Sequence, residues 1–182
     1  QTGAHLRGEP AFRRAVAAVR GGRIGRVTRI EVGLAGGGRG PAGWSGDTDG
    51  GAYHWRWISA LGGGSLAEGI VHYGDIALWG AGKETEMPMS VVGQGEFPRD
   101  GVFDTATSFR FLCTYRDGLE LEVADGGRLE KGIGVRWIGA GDAWIWVTRG
   151  AIAASSDGLL ARLPSAALRP VDLRRDFVEA VR

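Results

Sequence analysis

Apolar residues recur at helical spacing in three stretches of the chain and alternate with polar ones in most of the others. In the first stretch Phe12, Val16 and Val19 stand at i, i+4 and i+7, Pro10 suits a first turn, and Gly21-Gly22 stops the pattern, so Pro10 to Arg20 is expected to be a helix. Val27 to Leu34 alternates, with Val27 and Arg29 set against Thr28, Ile30 and Val32, and reads as a strand. Ala35 to Leu61 shows no period, carries many glycines and holds the aromatic cluster Tyr53-His54-Trp55-Arg56-Trp57. Loops of that length in compact domains are functional or mobile. The second helical stretch runs from Ser65 to Trp79 behind Gly62-Gly63-Gly64; Ser65 suits an N-cap, Ser65-x-x-Glu68 has capping-box spacing, and Gly80 and Gly82 are natural stops.

After Pro88 the period is two. Strands are expected at Ser90 to Gln94, at Thr105 to Tyr115 (Phe109, Phe111, Cys113 and Tyr115 on one face) and at Leu119 to Ala124, the last two joined by the turn Arg116-Asp117-Gly118. Gly134 to Ile138 and Ala143 to Thr148 form a second hairpin around Gly139 to Asp142, and Ala151 to Ala154 a short last strand. Pro170 to Arg182 returns to helical spacing with Leu173, Phe177 and Val181. Sequential hairpins make the sheet antiparallel or mixed. The expected fold is therefore α+β: a large, mostly antiparallel or mixed open sheet with helices packed on one face, and residues 1–182 as a single domain. The other sheet face would carry apolar residues with Trp144 and Trp146, and an uncovered apolar face predicts self-association into a dimer or tetramer.

The middle helix organises the rest. At about 100° per residue, Glu68, His72, Asp75 and Trp79 fall in an arc of about 60°, while Leu66, Ile70, Tyr73 and Ala77 lie opposite. One face packs; the other aligns an acid, an imidazole, a second acid and an indole. His72 has the proton affinity of a general base near neutrality, or is a hydrogen-bonded structural histidine. Glu68, one turn earlier, orients that imidazole or caps the helix; Asp75 binds a substrate hydroxyl or serves as a buried strut. Trp55 and Trp57 read first as core or interface anchors and second as sugar platforms.

Composition narrows the function classes. The 182 residues carry a net charge of +1, 43% hydrophobic and 24% charged residues, so the totals show no nucleic-acid footprint. No apolar run is long enough to span a bilayer and no signal-peptide pattern is seen, which points to the cytoplasm, or to the periplasm behind an upstream export signal. The chain opens on Gln1 rather than Met, an expectation of an upstream piece. Its one cysteine, Cys113, sits in a strand pattern and reads as a core thiol. Glu68, His72 and Asp75 are too few ligands for a zinc or manganese site, so no metal is expected. Gly38-Arg39-Gly40-Pro41-Ala42-Gly43 has the G-x-G-x-x-G spacing, but no helix follows it and Pro41 removes an N–H, so no dinucleotide site is expected there. Asp104, Asp117 and Glu130-Lys131-Gly132 read as turn residues.

The series Trp55-Arg56-Trp57, Gly62-Gly63-Gly64, Leu66-Ala67-Glu68 to His72-x-x-Asp75 and Trp79-x-x-Gly82 resembles the C-terminal domain of the glucose–fructose oxidoreductase / inositol dehydrogenase (Gfo/Idh/MocA) family, in the Trp-rich variant familiar from planctomycete-type dehydrogenases. Arg20 to Val27, Pro88-x-Ser90-Val91, Asp104 to Thr107, Tyr115-x-Asp117-Gly118, the Asp142 to Gly150 hairpin and Asp176 to Val181 fit the same order, so the likeness covers nearly the whole chain. The resemblance implies a two-domain oxidoreductase in which a missing N-terminal Rossmann domain binds NAD or NADP and this domain supplies the pocket for a sugar, polyol or related hydroxy compound and the oligomer interface. It places His72 at the family's catalytic histidine, with Glu68 where an aspartate is usual; Asp75, His54, Arg56 and Trp57 become candidate substrate contacts. The family's Glu-Lys-Pro lysine has no match, because Glu130-Lys131-Gly132 falls in the wrong domain, so the chain alone is expected neither to hold the cofactor nor to turn over. The alternative is a non-catalytic carbohydrate-binding or assembly module on the same fold.

Overall fold

The computed structural model describes residues 4–36, 54–100, 102–163 and 171–181. Strand β1 (Val27–Leu34) is its spine: Ile30, Val32 and Leu34 alternate along it and are completely buried beneath the helices. Around it β2 (Ser90–Glu96), β3 (Ser108–Thr114), β4 (Glu120–Asp125), β5 (Gly134–Gly139), β6 (Trp144–Thr148) and β7 (Ala151–Ala154) build one seven-stranded sheet in the order β2-β3-β4-β1-β5-β6-β7. Every neighbouring pair is antiparallel except β1 and β4, which run parallel with Arg29 opposite Glu120 and Leu34 opposite Asp125. The sheet is therefore mixed and open, as the alternating pattern predicts.

Helices α1 (Pro10–Arg20) and α2 (Gly64–Ala81) lie side by side on one face. Phe12, Ala15, Val16, Ala18 and Val19 of α1 and Ile76 and Ala77 of α2 meet Val123, Val135, Trp137, Ile145 and Val147 of the strands in one core. Trp137 anchors α2: its ring is fully buried and its Nε1 donates to the Ala77 carbonyl at 3.0 Å. Cys113 is a buried core thiol, and burial pushes its pKa up.

Three expectations need correction. The third strand begins at Ser108 rather than Thr105, because the amides of Asp104 and Thr105 both donate to the Trp57 carbonyl, at 3.0 and 3.3 Å. That segment leaves the ladder to hold the 54–57 turn. The final helix, α3 (Leu173–Val181), is capped by Asp172, whose carboxylate accepts from the amides of Arg174 and Arg175, but Phe177 and Val181 stay exposed rather than forming a packed edge. Its Pro170 and Arg182 ends lie outside the described residues.

The open sheet face differs most. Trp144 and Trp146 alternate with the buried Ile145 and Val147 and so lie on this face as expected, but register also sets Arg29, Arg110 and Arg136 among Glu31, Glu120 and Glu122 across four adjoining strands, a charge ladder that was not expected. Glu122 is only 3% exposed, paired with both Arg29 and Arg110, and Arg136 sits within 3.5 Å of Glu31. Trp144 borders the ladder with Lys131 and Arg136 stacked on its ring, 4.5 and 4.9 Å from the centroid.

Candidate functional site

Helix α2 brings the polar stripe to the surface where it was expected, but each member meets a partner from another element. The helix starts one residue early. Gly64 has φ of +65°, and a Cβ there would stand 2.6 Å from the Thr105 hydroxyl, so a glycine is required and the start shifts to Gly63-Gly64. Ser65 is consequently inside the first turn, and no side chain caps the helix. Glu68, freed from a capping role, turns outward and its carboxylate pairs with the Arg56 guanidinium. Arg56 is delivered by the short 3₁₀ turn His54–Trp57 and lies over the Trp55 ring, 5.5 Å from its centroid.

A second 3₁₀ turn, His5–Gly8, covers the other end of the stripe. Arg7 clamps Asp75 with two hydrogen bonds, Nε to Oδ2 at 2.7 Å and Nη2 to Oδ1 at 2.6 Å, and lies 5.0 Å above the Trp79 ring. Asp75 therefore ties the N-terminal turn to α2, and Trp79 receives the same cation. His72 stands between these two ends. Its ring meets His5 edge to face, 4.7 Å between centroids at 68°. Behind His5, the Arg149 guanidinium contacts the ring Nε2.

The open end of the stripe forms one wall of a cleft of about 550 Å³, lined by Ala35, Arg56, Ser65, Glu68, Gly69, Val71, His72, Tyr73 and Ile133. The backbone of Gly69 rests against Leu34, which sets α2 beside the carboxyl end of β1. His72, Glu68 and Arg56 thus share the cleft, an imidazole next to an acid–guanidinium pair. Burial holds the His72 pKa below its ordinary value, electrostatic interaction with His5 and with the Arg149 guanidinium pushes the same way, and Glu68 and Asp75 oppose them more weakly. An unprotonated imidazole on a cleft wall can accept a proton; a guanidinium and a carboxylate beside it can bind hydroxyl groups.

The remaining candidates stand apart from the cleft wall. Trp57 is half-buried, its ring 6.1 Å from Phe103 and its carbonyl occupied by the Asp104 and Thr105 amides, the arrangement of an anchor. His54 opens the 54–57 turn, and its side chain is outside the described residues, as is the Gly38 to Gly43 stretch. Asp104 and Asp117 are turn residues, accepting from Ser59 and from the Leu119 amide respectively. Among the described residues no group of three or more His, Cys, Asp or Glu could hold a metal ion. His5, Arg7 and Arg149 were not flagged by the sequence. No period links them to α2, and the one hint was two long polar side chains two positions apart just ahead of α1.

The profile of the GFO/IDH/MocA C-terminal domain matches residues 12–128, well over half of the sequence. The chain belongs to the GFO/IDH/MocA family. The matched region takes in most of α1 and all of β1, α2 and the strands through β4, hence the whole cleft wall of α2. Solved structures agree on the fold. The inositol dehydrogenase homologue of Azotobacter vinelandii complexed with NAD+ superposes with a TM-score of 0.62 at 15% identity, over 91% of this chain and 45% of its own. Levoglucosan dehydrogenase, in complex with NADH and levoglucosan, gives 0.58 at 18% identity over 85% of this chain and 43% of its own. The aldose–aldose oxidoreductase of Caulobacter crescentus complexed with glycerol gives 0.55 at 20%, over 98% of this chain and 59% of its own. The chain thus spans about half the length of these structures. No curated protein matches the sequence. Among the described residues, no helix is long and apolar enough to cross a membrane.

Proposed function

We propose that this GFO/IDH/MocA domain is the substrate-binding and oligomerisation half of a two-domain NAD(P)-dependent oxidoreductase that acts, in the cytoplasm, on a sugar, polyol or related hydroxy compound. The observation that carries the reading is His72: an imidazole on the wall of a cleft, on the longest helix among the described residues, held below its ordinary pKa by burial and by its neighbours His5 and Arg149. The likeness to an inositol dehydrogenase homologue with NAD+ bound, to levoglucosan dehydrogenase with NADH and levoglucosan, and to an aldose–aldose oxidoreductase with glycerol supports the cofactor and the substrate class.

In this reading the substrate hydroxyl rests against His72, and the ring takes the hydroxyl proton as the carbinol C–H leaves as hydride. The O–H bonding pair becomes the second bond of the carbonyl, so protons and electrons balance. NAD or NADP, when bound, supplies the hydride acceptor. Among the described residues the one parallel strand pair, β1 and β4, has β2 and β3 between its members in sequence, unlike a dinucleotide-binding strand–helix–strand unit, which supports placing the cofactor on another domain. The cofactor belongs to an N-terminal Rossmann domain. Arg56 and Glu68 bind further hydroxyls of the substrate as a charged pair. The open sheet face, with its ladder of arginines and glutamates and its bordering Trp144, pairs with the same face of a second copy in a dimer or tetramer.

One observation favours the alternative, a non-catalytic carbohydrate-binding or assembly module: Glu68 pairs with Arg56 rather than with the imbidazole it was expected to orient. A thermal-shift panel of sugars and polyols on the full-length protein, with and without NAD+, separates the two readings. The dehydrogenase raises Tm with NAD+ alone and forms reduced cofactor with at least one compound that also raises it. A Tm that responds to sugars but never to nicotinamide cofactors, with no reduced cofactor formed, establishes the module.

A further inference from the structure

Two residues that the cleft itself does not use, His5 and Arg149, stand in line behind His72. Guanidinium nitrogens only donate, so in this contact Arg149 is the donor and the His5 Nε2 the acceptor. Arg149 is itself steadied by Glu9, 4.0 Å away at the start of α1. The titratable and charged groups facing His72 come from four elements: Glu68 and Asp75 on α2, His5 in the N-terminal turn, Arg149 in the β6–β7 turn, and Arg56 and Arg7 behind the two carboxylates. Both carboxylates already face a guanidinium, so the side of His72 that is not satisfied by negative charge is the His5–Arg149 side.

Resting on the reading of His72 as proton acceptor, we propose that His5 and Arg149 are positioning residues for it: Arg149 fixes the His5 ring, and His5 holds the His72 ring edge to face at the cleft in its proton-accepting form. The arrangement works in both halves of a turnover. Before the reaction, positive charge one ring away disfavours a proton on His72 and leaves its lone pair free. After the O–H bond breaks and the N–H bond forms, the same charge favours loss of that proton to water, which resets the base.

The chain has three histidines, so each ring can be followed by NMR titration of the whole protein, with His72→Gln assigning the signal. His72 is expected to titrate below the ordinary value of about 6.5. Arg149→Ala and His5→Phe each raise its midpoint by on the order of half a unit to one unit, and Arg149→Lys, which keeps the charge, stays near wild type. The Arg149 side chain is 57% exposed in a turn, so its removal leaves the fold intact. Midpoints that do not move in Arg149→Ala and His5→Phe overturn the proposal. In the full-length enzyme the acid limb of kcat/KM should shift upward with the same two variants. A limb that stays in place while His72→Ala abolishes turnover overturns the coupling and leaves the role of His72 standing. NMR midpoints that move as expected while His72→Ala remains fully active overturn that role and leave the coupling standing.

Discussion

His72→Ala in the full-length protein should slow oxidation of its substrate by about 10²–10⁴-fold, the contribution of a well-placed general base. Cofactor affinity should be unchanged, because the proposed reading puts the substrate against the cleft wall that carries His72 and the dinucleotide on another domain. The pH dependence has a definite sign. Burial, His5 and Arg149 lower the His72 pKa, so the ring is unprotonated at neutrality and is lost as a base only when the pH falls through that lowered value, below about 6.5. The same shift acts on stability. In the unfolded chain His72 regains its ordinary pKa and binds a proton first as the solution is acidified. The unfolded state then holds more protons, and folding stability falls between the ordinary and the lowered value. His72→Ala should remove both the acid limb of the rate and this contribution to the acid loss of stability. An acid limb that survives in the variant would assign the base elsewhere.

Trp137→Ala should destabilise the domain by about 3–5 kcal/mol, the cost of emptying a buried indole site. Trp137 is completely buried in the middle of β5, its Nε1 donates to the Ala77 carbonyl, and its ring lies directly on Gly80, where a Cβ would stand 2.6 Å from the ring. The indole is thus the seat on which the last two turns of α2 rest, and α2 carries the cleft. For a chain of this size the loss corresponds to a fall in Tm on the order of 10 °C. Trp144→Ala, on the open face with its ring half-buried under Lys131 and Arg136, should cost much less. Equal losses in the two variants, measured by thermal or urea unfolding, would contradict this account of how α2 is held.

The elements were readable because their periods are long and clean. Phe12, Val16 and Val19 mark α1, and Ile30, Val32 and Leu34 mark the buried side of β1, with boundaries that agree to within a residue. What escaped the sequence is what depends on chain segments far apart. The β1–β4 parallel pairing arises from a crossover, and without that register nothing says that Arg29 meets Glu120 and Glu122, so the indoles of the open face were expected and its charge ladder was not. The early start of α2 is set by the approach of Thr105 to Gly64, and the late start of β3 by the Trp57 carbonyl. The site shows the same division. Helical geometry alone put Glu68, His72, Asp75 and Trp79 on one face. Their partners, Arg56, His5, Arg7 and Arg149, arrive from two turns and a hairpin, and they convert a four-residue stripe into one imidazole flanked by two ion pairs.

The central claim is that His72 takes a proton from a hydroxy compound while hydride passes to a nicotinamide. It is tested most directly with the full-length protein, NAD+ and a sugar or polyol, chosen from the thermal-shift panel, carrying deuterium on the reacting carbinol carbon. The deuterium is expected on the nicotinamide ring of the reduced cofactor, with the rate of its transfer falling by about 10²-fold or more in His72→Ala. Deuterium that stays with the sugar, or that reaches the cofactor as fast in His72→Ala as in the wild type, would contradict it.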